Sequence, residues 1–369
     1  MSLECGIVGL PNVGKSTLFN ALTSAENAEA ANYPFCTIDP NVGVVNVPDP
    51  RLDFLNKCFN PKSLLPATVS FVDIAGLVKG ASQGEGLGNQ FLGHIKSCHA
   101  IAQVVRCFED ENVVHVAGKV DPISDLEVIE TELLLADLAT LEKRIDRLKK
   151  LAKSGGAETK AQLESCQNLE KLLQDGRAAR EWDASEEALE LLKDLHLITM
   201  KPMIVVANVS EEDAQPDAAE KNPHYQALGE YCAKKQMELL PICGKIESEL
   251  SQLDDDEQAE FLKELGIEES GLNRLIRAAY KTLGLRTYFT AGEKEVRAWT
   301  FRDGWKAPKA AGVIHGDFER GFIRAEAYHF DELVEHGSEA KLKELGKVRV
   351  EGKDYTVKDG DLLHFRFNV

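Results

Sequence analysis

Apolar positions fall into three textures along this chain. Short, nearly unbroken apolar runs at 3–8, 68–73, 100–108 and 202–208 predict strands covered on both faces, and so a mostly parallel sheet flanked by helices, an α/β fold. Between the last two runs the period changes: Leu134, Leu138, Leu141, Ile145, Leu148 and Ala152 return at alternating steps of four and three, a heptad seam. Ser154-Gly155-Gly156 breaks that helix, and helical patterns resume over 158–175 and 185–195. Residues 130–198 therefore read as an antiparallel helical hairpin inserted ahead of the strand at 202, its seam serving hairpin packing or a partner helix.

Further helices are expected at 224–238, 257–265 and 271–283, the last stopping at Gly284, with a strand over 239–243. From 285 onward the texture is one of short strands, at 285–290, 296–301, 347–351 and 362–367, separated by glycine turns. That pattern predicts a small mixed sheet with its own core. The expected domains are 1–129 with 199–284, then 130–198, then 285–369.

Charge narrows the function. The 369 residues carry 43 Lys and Arg against 61 Asp and Glu, a net charge of −18. The excess lies wholly before Lys281, since the stretch from there to the end has a net of +1. A protein that coats nucleic acid over its whole surface is excluded, because backbone binding needs positive charge near phosphate. A local basic face is not excluded: Arg286, Arg297, Arg302, Lys306, Lys309, Arg320 and Arg324 either cluster or are scattered solubility charges. No apolar run reaches membrane-spanning length, and Met1-Ser-Leu-Glu-Cys5 has no basic leader. The eight cysteines form no CxxC pair. Together these predict reduced thiols in a cytoplasmic protein with no membrane contact.

The candidate chemistry begins at Gly9-x4-Gly14-Lys15-Ser16, set between a strand and a helix. Glycines there let the chain curl so that backbone N–H groups of Asn12, Val13, Gly14, Lys15, Ser16 and Thr17 can face phosphate oxygens, backed by the helix dipole. Lys15 would reach the β- and γ-phosphates, and Ser16 would ligate Mg²⁺. Asp73-Ile-Ala-Gly76, at the end of an apolar strand, supplies a carboxylate to hold Mg²⁺ through water and a glycine N–H to sense γ-phosphate. Thr37, in Pro34-Phe-Cys-Thr-Ile-Asp-Pro40, is a second Mg²⁺ ligand or a loop hydroxyl capping the backbone.

These segments, with the run from Asp73 to Phe91, Asn208 to Glu211 and the tail His364 to Val369, resemble the YchF (Obg-like ATPase) family of P-loop proteins over essentially the whole chain. The resemblance implies a P-loop NTPase domain, an inserted helical domain and a C-terminal TGS domain of ubiquitin-like β-grasp fold. It also implies ATP in preference to GTP and association with the ribosome or its subunits, with RNA contact through the helical and TGS domains. GTPase relatives carry Asn-Lys-x-Asp, whose Asp binds guanine; here the segment is Asn208-Val209-Ser210-Glu211, and Glu is one methylene longer. Asn208 can still bond a purine N7, Val209 offers an apolar surface to the ring, and Cys243-Gly244 would add backbone contacts. ATP, GTP or both remain compatible with these residues.

Where relatives place a water-orienting Gln after DxxG, this chain has Leu77. The family resemblance offers His115 as the group that positions water; a loop histidine satisfied by its neighbours is the alternative. His94 and His99 are weaker candidates for the same task. Asn12 matches the residue that helps hold K⁺ in potassium-activated relatives, or else bonds within the loop. The expected function is an Mg²⁺-dependent ATPase. The alternatives are a GTPase and a ribosome-bound adaptor that uses nucleotide as a conformational ligand.

Overall fold

The structure, a computed structural model, describes residues 3–24, 41–74, 76, 87–110, 113, 115–116, 118–153 and 156–369. Thr37, Leu77 and the glycines at 80, 84 and 86 lie outside the described residues. The chain divides into two compact units, 1–43 with 70–275, and 44–69 with 276–369.

The first unit is built on a six-stranded sheet in the order β2-β4-β1-β5-β6-β7. Its strands are β1 (Glu4–Val8), β2 (Val42–Asn46), β4 (Thr68–Asp73), β5 (Ala100–Arg106), β6 (Met203–Asn208) and β7 (Glu238–Ile242), while β3 (Leu64–Leu65) belongs to the other sheet. From β4 across to β7 all pairings are parallel. Strand β5 and strand β6 are buried at every position, which is why their sequences lack alternation. At the edge, Asp73 N–H donates to Asn41 O and Val47 N–H to Ala67 O, so β2 runs antiparallel to β4.

Helices α1 (Lys15–Ser24), α2 (Pro50–Phe59) and α3 (Leu87–Ser97) precede the insertion. The insertion is α4 (Pro122–Leu151), α5 (Ala157–Gln174) and α6 (Glu186–Leu192). Asp121 caps α4 by accepting from Ser124 N–H, with Pro122 in the first turn, so the helix starts eight residues before the expected hairpin boundary. The predicted seam is its core: Leu134, Leu141, Ile145 and Leu148 bury against Cys166, Leu169 and Leu173, with Leu138 half-covered. The seam is thus occupied within the hairpin.

Where the hairpin chain returns to the sheet, the fully buried Asp137 accepts from Ile198 N–H at 2.8 Å, Thr199 N–H at 2.7 Å and the Thr199 hydroxyl at 2.7 Å. Lys201 then donates to Lys96 O at 2.8 Å and to Cys98 O, closing the carboxyl end of α3.

The second unit carries a mixed sheet ordered β11-β10-β12-β8-β9-β3. Its strands are β8 (Leu285–Ala291), β9 (Val296–Arg302), β10 (Phe322–His329), β11 (Arg349–Glu351) and β12 (Asp361–Phe367). Strands β8 and β9 form an antiparallel hairpin, and the last strand, β12, lies parallel beside β8, the arrangement of a β-grasp. Tyr288, Phe301, Phe322 and Leu363 fill its core.

Residues 44–69, expected within the nucleotide-binding part, cluster here instead. Strand β3 extends the sheet in parallel with β9, and Phe54 of α2 meets Phe330 edge-to-face at 5.4 Å. Arg51 bridges Asp49 and Asp359, each at 2.7 Å. Apart from the local Arg51–Asp49 pair, these contacts join positions from 232 (Leu64 and Val296) to 308 (Arg51 and Asp359) apart, out of reach of local sequence pattern. Among the described residues all seven cysteines are free thiols, and no helix is long and apolar enough to cross a membrane.

Candidate functional site

Strand β1 ends at Val8 in the middle of the first sheet, and the chain turns through Gly9–Gly14 into α1. Two residues of that turn, Asn12 (φ 62°) and Gly14 (φ 98°), have left-handed backbone. Such alternation turns successive N–H groups toward one concavity, and α1 adds its positive end. Close approach explains both glycines. A Cβ at Gly9 would stand 2.6 Å from Val104 O, and one at Gly14 would stand 2.2 Å from Asn208 Nδ2.

Lys15 is 7% exposed and donates from Nζ to Leu10 O at 2.8 Å. Burial pulls its ammonium below the usual lysine range, and the nearby Asp73 carboxylate works against that. The lysine thus sits on a carbonyl of its own loop, a contact that phosphate oxygens would replace with stronger, charge-assisted ones.

Asp73 closes β4 beside β1, in register with Ile7. Its Oδ1 is buried and has no hydrogen-bond partner. Burial raises the carboxyl, while the Lys15 charge and a hydrogen bond from Ser16 oppose the rise. Gly76 stands against the loop, since a Cβ there would lie 3.1 Å from Lys15 Nζ and 3.3 Å from Pro11 N. Ser16, Asp73 and Gly76 therefore gather at the amino end of α1. The hydroxyl and the unpartnered carboxylate oxygen form an all-oxygen donor set, which suits a small hard cation.

At the far side of the loop Asn208 ends β6, 5% exposed. Its Nδ2 donates to Val13 O at 2.9 Å, and its Oδ1 accepts from Gly244 N–H at 3.0 Å. Asn208 therefore stitches the phosphate loop to the loop after β7. The amide retains one N–H and one lone pair for a base. Val209 and Cys243 are buried beneath, and burial pushes the Cys243 thiol up. Glu211 is exposed and ion-paired with Lys245 across the same opening, a partner that raises the lysine.

His115 is buried against a carboxylate. Its Nε2 is 2.9 Å from Asp125 Oδ2 on α4, and both side chains are 4% exposed. Its loop is braced by Arg106, a fully buried guanidinium that donates to Phe108 O at 2.9 Å, Val113 O at 2.8 Å and Asp110 O at 3.2 Å. Sequence reasoning missed both Arg106 and Asp125. The signal for Arg106 was present: a lone charge in an otherwise apolar strand has to be satisfied. His99 is structural, its Nδ1 accepting from Glu4 N–H at 3.3 Å, and His94 lies in the last turn of α3.

Comparison with known proteins gives the same geometry a lineage. The family model MMR_HSR1, "50S ribosome-binding GTPase", matches residues 4–137, and YchF-GTPase_C, "Protein of unknown function (DUF933)", matches residues 285–368. Proteins named ribosome-binding ATPase YchF are similar over all 369 residues and over their own full lengths, at 56% identity in Bacillus subtilis (strain 168) and 54% in Escherichia coli O157:H7. The solved structure of the Schizosaccharomyces pombe YchF GTPase is 40% identical, covers 99% of this chain and 98% of its own, and superposes with a TM-score of 0.89. With identity at this level over the full length of the chain, it belongs to the YchF family.

Proposed function

We propose that the chain is an Mg²⁺-dependent ATPase that works in association with the ribosome. The observation that carries the catalytic part is the convergence of Lys15, Ser16, Asp73 and Gly76 at the amino end of α1, with Asn208 joining that loop to the base side. The names of the full-length relatives support ATP and the ribosome as its partners.

In this reading the N–H groups of residues 12–17 and the Lys15 ammonium hold the β- and γ-phosphates. Ser16 and Thr37 would ligate Mg²⁺, with Asp73 holding it through water; the metal would supply neutralisation of phosphate charge. Gly76 would offer its N–H to the γ-phosphate. Water attacks the γ-phosphorus in line, and His115 is the residue assigned to place that water. Asn12, left-handed at the loop's apex, is assigned to a K⁺ beside the phosphates. The sheet that carries the phosphate loop would serve nucleotide chemistry, and the hairpin 130–198 and TGS part 285–369 would serve ribosome and RNA contact.

The base preference has a physical basis. Guanine selection needs a carboxylate set against N1–H and the 2-amino group, and here Glu211, one methylene longer than Asp, stands at that position with its carboxylate turned to Lys245. A charge-assisted hydrogen bond withheld from guanine is worth roughly 1.5–3 kcal/mol, or about tenfold or more in affinity. Calorimetric titration should therefore show ATP binding at least about tenfold tighter than GTP, with both lost when magnesium is chelated. Tighter GTP binding would make the protein a GTPase, the activity named for the yeast structure.

Turnover is tested by phosphate release with and without ribosomes. The expectation is slow release that falls by roughly three orders of magnitude in Lys15→Ala and falls clearly in His115→Ala. Full turnover in His115→Ala would remove that residue from the mechanism. Ribosome binding with no turnover under any condition would favour an adaptor.

A further inference from the structure

Helix α4, which leads into the hairpin, sets a buried carboxylate, Asp125, against the His115 ring nitrogen farthest from the backbone. We propose that Asp125 is a latch that withholds His115 from the nucleotide, so that displacement of α4 controls hydrolysis. The inference rests on the assignment of His115 as the water-positioning residue.

Three observations carry it. First, a histidine that orients water at a γ-phosphate must present a nitrogen to that phosphate, yet His115 is held in an almost dry setting with Nε2 on Asp125 Oδ2 at 2.9 Å. Second, the two partners belong to different structural elements. His115 ends the loop that Arg106 braces from β5, whereas Asp125 lies in the first turn of α4, which continues for 30 residues into the hairpin. A rotation of the first turn of α4 would draw the carboxylate off the ring, working against the packing of Leu126 beside Val105 and Cys107 and the Gln103 Nε2 bond to Leu126 O at 3.3 Å. Third, the hairpin's root is attached to the core again where Asp137 holds Ile198 and Thr199, two residues before Lys201 reaches the carboxyl end of α3. These two carboxylates are thus among several points, the Lys235–Glu181 ion pair being another, through which the hairpin bears on the core.

The energetics fit a latch. Breaking a buried, hydrogen-bonded pair is costly while both groups stay buried, so the engaged state dominates when nothing pulls on α4. Turnover is then scaled down by the small fraction of molecules with His115 released. A partner that grips the hairpin would raise that fraction without touching the nucleotide.

The test uses the full-length protein with Mg²⁺ and ATP, comparing wild type, Asp125→Asn, Asp125→Ala, His115→Ala and the His115→Ala/Asp125→Ala double variant. Melting curves and ATP affinity check that each is folded. The expected result is that the Asp125 variants raise basal kcat by roughly fivefold or more with KM unchanged, because the released fraction grows, and that the double variant falls back to the level of His115→Ala. A merely structural role for Asp125 would not raise kcat. Folded Asp125 variants with turnover at or below wild type, while His115→Ala is slow, overturn the latch and leave the catalytic assignment standing. Full turnover in His115→Ala overturns that assignment and the latch with it. Asp125→Asn, which is nearly isosteric, decides the matter where Asp125→Ala does not fold.

Discussion

Gly14→Ala should weaken nucleotide binding at least roughly a hundredfold in a protein that remains folded. The residue has φ 98°, and a Cβ there would stand 2.2 Å from Asn208 Nδ2. A non-glycine residue in left-handed backbone costs roughly 1–2 kcal/mol. To clear the contact Asn208 must also turn away, giving up its bonds to Val13 O and Gly244 N–H. Each such bond contributes about 1 kcal/mol, and more where its partner is left buried and unpaired. The total of about 3–5 kcal/mol corresponds to at least roughly a hundredfold loss of affinity for ATP. Calorimetric titration beside a melting curve measures both. ATP affinity within threefold of wild type would mean that the loop does not rely on this close approach.

The second large effect is expected at Asp137, far from the phosphates. Its carboxylate is fully buried and satisfies two backbone N–H groups and one hydroxyl where the hairpin chain rejoins the sheet. Burial raises its carboxyl, and the hydrogen bonds from Thr199 and Ile198 offset part of that rise. Asp137→Ala leaves both amides buried without acceptors, a cost of about 3–5 kcal/mol. Asp137→Asn keeps one acceptor oxygen and should lose about half as much. Denaturant unfolding gives the totals. Hydrogen exchange at the Ile198 and Thr199 amides should quicken first, since their protection depends on this acceptor. Unchanged exchange in Asp137→Ala would show that the hairpin root is held by apolar packing alone.

Two kinds of signal were legible in the chain. Spacing motifs were one: the residues of Gly9–Ser16 and Asp73–Gly76 converge in space because strand ends in a parallel sheet lie side by side. Periodicity was the other: the seam from Leu134 to Leu148 is the hairpin core. Strand β10 shows where periodicity failed. Its buried positions include Ala325 and Ala327, which favour helix locally, and a register shift between Phe322 and Arg324 interrupts the alternation that would mark a strand.

The site shows the same division. Asn208 was expected from its segment to face the base, whereas its bonds to Val13 and Gly244 depend on where two loops meet. His115 was legible as a histidine in a family segment, whereas its pairing with Asp125 depends on how α4 docks.

The sequence by itself determined much of the local geometry: the central strands of the first sheet, the long hairpin helices, where the phosphate loop lies, and which residue types could hold a triphosphate and its metal. Those follow from backbone sterics and from patterns that repeat within a few residues. Only the tertiary structure decided that 44–69 joins the C-terminal sheet and that an amide clamps the phosphate loop. It also decided that a carboxylate on the hairpin helix holds the candidate catalytic histidine. Such contacts join side chains from separate elements, and burial and hydrogen-bond satisfaction select among them only once those elements have packed.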